Sequence, residues 1–182
     1  MVEVAADLFY AQGYRATGIK QIMDAVGIAK GTFYTHFTSK EELGIAWLRK
    51  RHLKWNRWLE EMLATKPTPR TKLLGALDFL EQWMANSEYR GCAFLNTLSE
   101  VPDAENPMRA EVEAHKLDLR NRFRELVLAH FGGKGSRRIG RMSDIIFLLF
   151  EGALIEAQNF REAWPIRTAR KATEQLLATH PE

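Results

Sequence analysis

Residues 13–43 read GYRATGIKQIMDAVGIAKGTFYTHFTSKEEL, and this stretch decides the fold. Ile19, Ile22, Met23 and Val26 recur at three- and four-residue spacing, the apolar stripe of a helix of about two turns. Gly27 stops it, because glycine enters the left-handed conformation that ends a helix at little cost. A second short helix is predicted from Lys30 to Phe37, with Ile28 and Phe33 filling the wedge and small Ala25 permitting a close crossing. Two short helices joined by a glycine turn make a helix-turn-helix. The outer face of the second helix then carries Lys30, Gly31, Thr32, Tyr34, Thr35 and His36. These are hydrogen-bonding or backbone-exposing groups that suit a major groove. Thr17 precedes the first helix of the pair and Lys40 opens the helix that follows it, where helix N-termini and a lysine favour phosphate.

Outward from this core the chain reads as helix almost throughout, with eight or nine helices and no strand. Val4, Leu8 and Phe9 form a stripe closed by Gly13, and Ser39-Lys40-Glu41-Glu42 has the form of a capping box opening a long helix. Ile45, Leu48, His52, Trp55, Leu59 and Met62 line that helix, and Lys66-Pro67-Thr68-Pro69 breaks it. Further helices are predicted from about Arg70 to Asn86, over Cys92–Glu100, from Met108 to Phe131, from Ser136 to Arg161 and from Pro165 to Thr179.

Charge is unevenly spread along the 182 residues, whose net charge is +3. Residues 1–57 hold nine bases against five acids, a surplus of four that leaves −1 for residues 58–182. A basic head on a near-neutral body suits a polyanion-binding module with a second function attached. The longest apolar run, Ile145–Phe150, is far short of the roughly 20 residues that span a bilayer. One cysteine, Cys92, precludes an intrachain disulfide and fits a reducing compartment, so a cytoplasmic protein with no membrane partner is expected.

Phe9, Gly13-Tyr14, Ala16-Thr17, Ile19, Ile22, Gly27-Ile28, Lys30-Gly31-Thr32-Phe33-Tyr34, His36-Phe37 and Ser39-Lys40-Glu41-Glu42-Leu43 together resemble the tetracycline-repressor (TetR/AcrR) family of bacterial transcriptional regulators. The resemblance implies an all-α fold, with a helix-turn-helix DNA-binding domain over 1–43 and an effector-binding and dimerisation domain over 44–182. It implies DNA contacts at Thr17, Lys30, Gly31, Thr32, Tyr34, Thr35, His36 and Lys40. An effector cavity is implied on the helices carrying Phe79, Trp83, Phe94, Asn96, Phe123, Phe147 and Phe150, for a small hydrophobic or amphipathic ligand. A homodimer through the last two helices is implied, at positions such as Ile145, Leu149, Ala153, Ala169, Ala172 and Leu176.

Three positions depart from the family pattern. Ala29 stands where a hydroxyl usually caps the recognition helix, at a cost of about 1 kcal/mol. Gly18 replaces a second hydroxyl, and Met1 falls inside the first helix, so an N-terminal arm contact is expected to be missing. A ligand-responsive repressor of a palindromic operator is the expected function. The alternatives are a regulator using Cys92 as a sensor thiol, a helical module without DNA binding, and a cysteine-dependent enzyme. His52, His115 and His130 show no metal-ligand spacing, Cys92 and His115 lack any orienting motif, and no cofactor, metal or catalytic residue is expected.

Overall fold

The computed structural model describes residues 1–133 and 135–179. Nine helices run through the described residues: α1 (Val2–Gln12), α2 (Ile19–Val26), α3 (Lys30–His36), α4 (Lys40–Ala64), α5 (Pro69–Asn86), α6 (Ala93–Glu100), α7 (Pro107–His130), α8 (Arg137–Phe160) and α9 (Trp164–Ala178). No strand forms among them, so the fold is all-α.

Two compact units divide the chain. The first joins Met1–Trp55 to Cys92–His115. Its core gathers Phe9, Ile22, Phe33, Leu43, Trp47, Leu48 and Phe94, each at most 3% exposed. Phe9 holds α1 in place through ring contacts with Tyr14 at 5.2 Å and Trp47 at 5.1 Å. Burial of each such side chain is worth about 1.5–3 kcal/mol. His115, 2% exposed, stacks on Phe94 with ring centroids 3.7 Å apart and faces His52 across a 3.0 Å Nδ1–Nδ1 hydrogen bond.

The second unit comprises Asn56–Gly91 and Lys116–Glu182. Pro69 occupies the first turn of α5, where its missing N–H costs nothing, and Thr68 caps the helix reciprocally with Thr71. Helices α5, α8 and α9 pack together. Ser136 caps α8 by accepting the Ile139 N–H. His130 Nε2 donates to the Leu177 carbonyl near the end of α9, 3.0 Å away.

Ala153 and Ala169, two of the expected dimer positions, are 5% and 4% exposed and so are buried within this unit. A side chain already covered by its own chain has little surface to offer a second copy. Leu149, Ala172 and Leu176 are half-buried, while Ile145 is 40% exposed. Leu148 at 65% and Ile155 at 48% extend the open apolar stripe of α8.

Candidate DNA-reading surface

The turn between α2 and α3 follows from one glycine. Gly27 adopts φ 76°, ψ 36°, its N–H donates to Asp24, and the Ile28 N–H donates to Met23 at 3.1 Å. This pair of bonds is a Schellman closure, which satisfies the last carbonyls of α2 and turns the chain sharply. An added Cβ would meet nothing within 4 Å, so the position requires glycine for its backbone angle and not for space. Ala29 begins α3 in extended conformation with no side-chain cap.

Phe33 is wholly buried, and it decides which face of α3 is left outside. Lys30, Gly31, Thr32, Tyr34, Thr35 and His36 are all exposed. Tyr34 stands edge-on to Phe33 at 5.1 Å and is 46% exposed, so its ring base is braced while its phenol is available. The Lys30 ammonium lies 5.9 Å from the Tyr34 ring. Thr35 donates its hydroxyl proton to the Thr32 carbonyl, leaving its oxygen as an outward acceptor.

Thr17 is placed otherwise than expected. Its side chain has no exposed surface; the hydroxyl donates to the Gly13 carbonyl at 2.7 Å and accepts from Gln12 Nε2 at 3.0 Å. A fully covered hydroxyl cannot lie on a phosphate oxygen, so Thr17 braces the α1–α2 turn. Lys40 is partly turned inward as well. Its ammonium donates to the Tyr14 carbonyl at 3.0 Å and the Thr17 carbonyl at 3.1 Å, and lies 4.4 Å from the Tyr14 ring. Burial holds it below the usual lysine range, with the Glu100 charge acting in the opposite sense. Burial also pushes the Tyr14 phenol up to about 12, assisted by the charge of Glu41.

The capping box at α4 forms with a one-residue shift. Ser39 accepts the Glu42 N–H, but the Glu42 carboxylate reaches past Ser39 to the N–H and hydroxyl of Thr38, at 2.6 and 2.8 Å. Those two bonds hold the Glu42 carboxyl below its usual range. They also fix the short Phe37–Ser39 link between α3 and α4.

Among the expected effector residues, Phe123, Phe147 and Phe150 come together in the second unit, with ring centroids 5.2–6.4 Å apart. Phe79 and Trp83 stack in the same unit at 6.5 Å. Phe94 and Asn96 belong to the first unit. Close by in sequence, Lys116 pairs with Glu151 at 2.6 Å, and Glu151 Oε1 is buried without a hydrogen-bond partner. Cys92 is 4% exposed at the start of α6, a covered setting that disfavours attack by or on the thiol.

A buried aromatic wedge, a left-handed glycine turn and an outward polar helix face define the helix-turn-helix class of DNA-binding proteins. Residues 1–46 match the family model for bacterial regulatory proteins of the tetR family. The chain is 22% identical over 187 residues to the HTH-type transcriptional repressor NemR of Escherichia coli (strain K12), with 98% of this chain and 92% of that one aligned. It is similar in structure to a TetR transcriptional regulator from Chloroflexus aurantiacus J-10-FL, with a TM-score of 0.83 and 29% identity across 98% of this chain and 92% of the other. SCO4454, a TetR-family transcriptional regulator from Streptomyces coelicolor, superposes with a TM-score of 0.86 at 23% identity, over 97% and 85% of the two chains. Together these matches support a regulator of the TetR family, with its DNA-binding domain in residues 1–46.

Proposed function

We propose that this chain is a homodimeric, cytoplasmic repressor that reads a palindromic operator with α3 and leaves it when a small hydrophobic or amphipathic effector binds. The observation that carries the reading is the exposed polar face of α3, set on fully buried Phe33. Lys30, Gly31, Thr32, Tyr34, Thr35 and His36 make the DNA contacts, and Lys40 adds a phosphate contact through the N–H that its two carbonyl bonds leave over. Residues 1–43 do the reading, and residues 44–182 bind the effector and dimerise. The activity is binding, with no catalytic step.

Dimerisation is supported by the open apolar stripe Ile145, Leu148 and Ile155 on α8, flanked by the half-buried Leu149, Ala172 and Leu176. Three large apolar side chains on one helix face are costly in water unless covered. A two-fold pair sets its recognition helices about 34 Å apart, one turn of duplex. The effector is lodged in the second unit, by Phe79, Trp83, Phe123, Phe147 and Phe150, and the unpartnered Glu151 oxygen favours a ligand carrying a hydrogen-bond donor. Such a ligand releases DNA with a coupling of about 1–3 kcal/mol.

The test is fluorescence anisotropy on a duplex selected by the protein from a random library, against a scrambled duplex, across a salt series. Selective binding at least a thousandfold tighter than to the scrambled duplex is expected, as typical of specific recognition. Equal, weak binding to both would overturn the reading.

A further inference from the structure

The turn between α1 and α2 has more backbone groups than its own residues can satisfy. Gly13 N–H returns to Phe9 and the Gly13 carbonyl takes the Thr17 hydroxyl, both local bonds. The Arg15 N–H and the carbonyls of Tyr14 and Thr17 find their partners from afar. Lys40 supplies both carbonyl bonds, from 26 and 23 residues away. Glu100, the last residue of α6, accepts the Arg15 N–H at 2.6 Å from 85 residues away.

Two details mark the Glu100 contact as a fitted one. An added Cβ on Gly13 would lie 2.9 and 3.1 Å from the two Glu100 carboxylate oxygens, so the absence of a side chain at position 13 makes room for the carboxylate. An acid at the C-terminal end of a helix also faces the negative end of the helix dipole, which works against placing one there. Glu100 offsets that cost through the charge-assisted bond to Arg15 and through its attraction for the Lys40 ammonium.

We infer that Glu100 is a positioning residue: through its bond to Arg15, and together with Lys40, it clasps residues 13–17 and so lets α6 set where α2 and α3 point. The inference rests on the DNA-reading function proposed above. It places a control point for that function at the end of α6, on a residue that touches no DNA itself.

Its sign distinguishes it from simple electrostatics. Removing an acid from a DNA-binding unit ordinarily strengthens binding to any duplex, because repulsion of the phosphates is lost. A positioning role has the opposite effect on selected DNA, since the recognition face is misaligned while the overall charge attraction remains. Glu100→Ala is expected to weaken binding to the library-selected duplex tenfold or more, with affinity for the scrambled duplex unchanged or raised. Glu100→Gln keeps an acceptor for the Arg15 N–H and is expected to stay within about threefold of the parent on selected DNA; it carries the test if the alanine variant is poorly folded. Amide exchange at Arg15, measured without DNA, should speed up in Glu100→Ala and stay slow in Glu100→Gln. Unchanged selectivity in Glu100→Ala, a parallel rise on both duplexes, or a Gln variant as impaired as Ala would each overturn the inference. A parent protein that selects no duplex would overturn the function beneath it, while the Arg15 exchange still reports on the clasp.

Discussion

Thr17→Val removes one hydroxyl and preserves shape, so it asks whether Thr17 braces the turn or touches DNA. The side chain has no exposed surface, and its proton goes to the Gly13 carbonyl at 2.7 Å. Valine leaves that carbonyl without its donor inside a covered turn. An unsatisfied buried acceptor costs about 1–3 kcal/mol, whereas the Gln12 amide keeps its bond to Gln21 and loses little. The expected loss is therefore about 2 kcal/mol, or roughly thirtyfold in the unfolding constant. With a urea dependence of about 2 kcal/mol per molar, the midpoint should fall by about 1 M, read by far-ultraviolet circular dichroism. Thr17→Ser retains the hydroxyl and should recover most of this. The salt dependence of DNA binding should not change, because no phosphate contact is lost. A valine variant that unfolds with the parent but whose salt slope drops by about one phosphate contact would refute the brace.

Three further outcomes are expected. Tyr34→Ala should weaken selected-DNA binding by about 1–3 kcal/mol, the range of a good base contact, while melting and dimerisation stay as in the parent; normal operator affinity in a folded Tyr34→Ala protein would contradict the docking mode. Leu148→Glu puts a charge on a side chain that is 65% exposed in the single chain, and light scattering should show monomers in place of dimers; an intact dimer would remove α8 from the interface. Tyr14, pushed up to about 12, should ionise well above the ordinary tyrosine value in an alkaline titration followed at 295 nm. Its raised proton affinity in the fold contributes stability that is complete below about pH 10, the ordinary tyrosine value, and is lost as pH climbs towards 12; Tyr14→Phe should abolish that alkaline component.

Local patterns were legible because local physics makes them. Gly27 ends α2 where the apolar stripe stops, Ser39 caps α4, and Pro69 begins α5, each within one or two residues of the sequence boundary. The buried–exposed split of α3 likewise follows from its single large apolar residue, Phe33. Long-range partners left no such trace. Glu100 looks like any surface acid at a helix end, and nothing local links it to Arg15. His52 and His115, 63 residues apart, give no ligand spacing, yet folding sets them in contact. Thr17 has the residue type of a phosphate contact, and only the positions of Gly13 and Gln12 reveal that its hydroxyl is already engaged. Ala153 and Ala169 share the apolar periodicity of α8 and α9, but periodicity does not distinguish a face turned to its own chain from one turned to a second copy.

Hydroxyl-radical and methylation footprinting on the library-selected duplex puts α3 to the most direct test. Two major-groove patches are expected, centred about one helical turn apart, with protection of guanine N7 inside each patch and loss of both patches in Tyr34→Ala. Uniform protection along the duplex, or none in the major groove, would contradict insertion of the Lys30–His36 face and the two-fold reading with it.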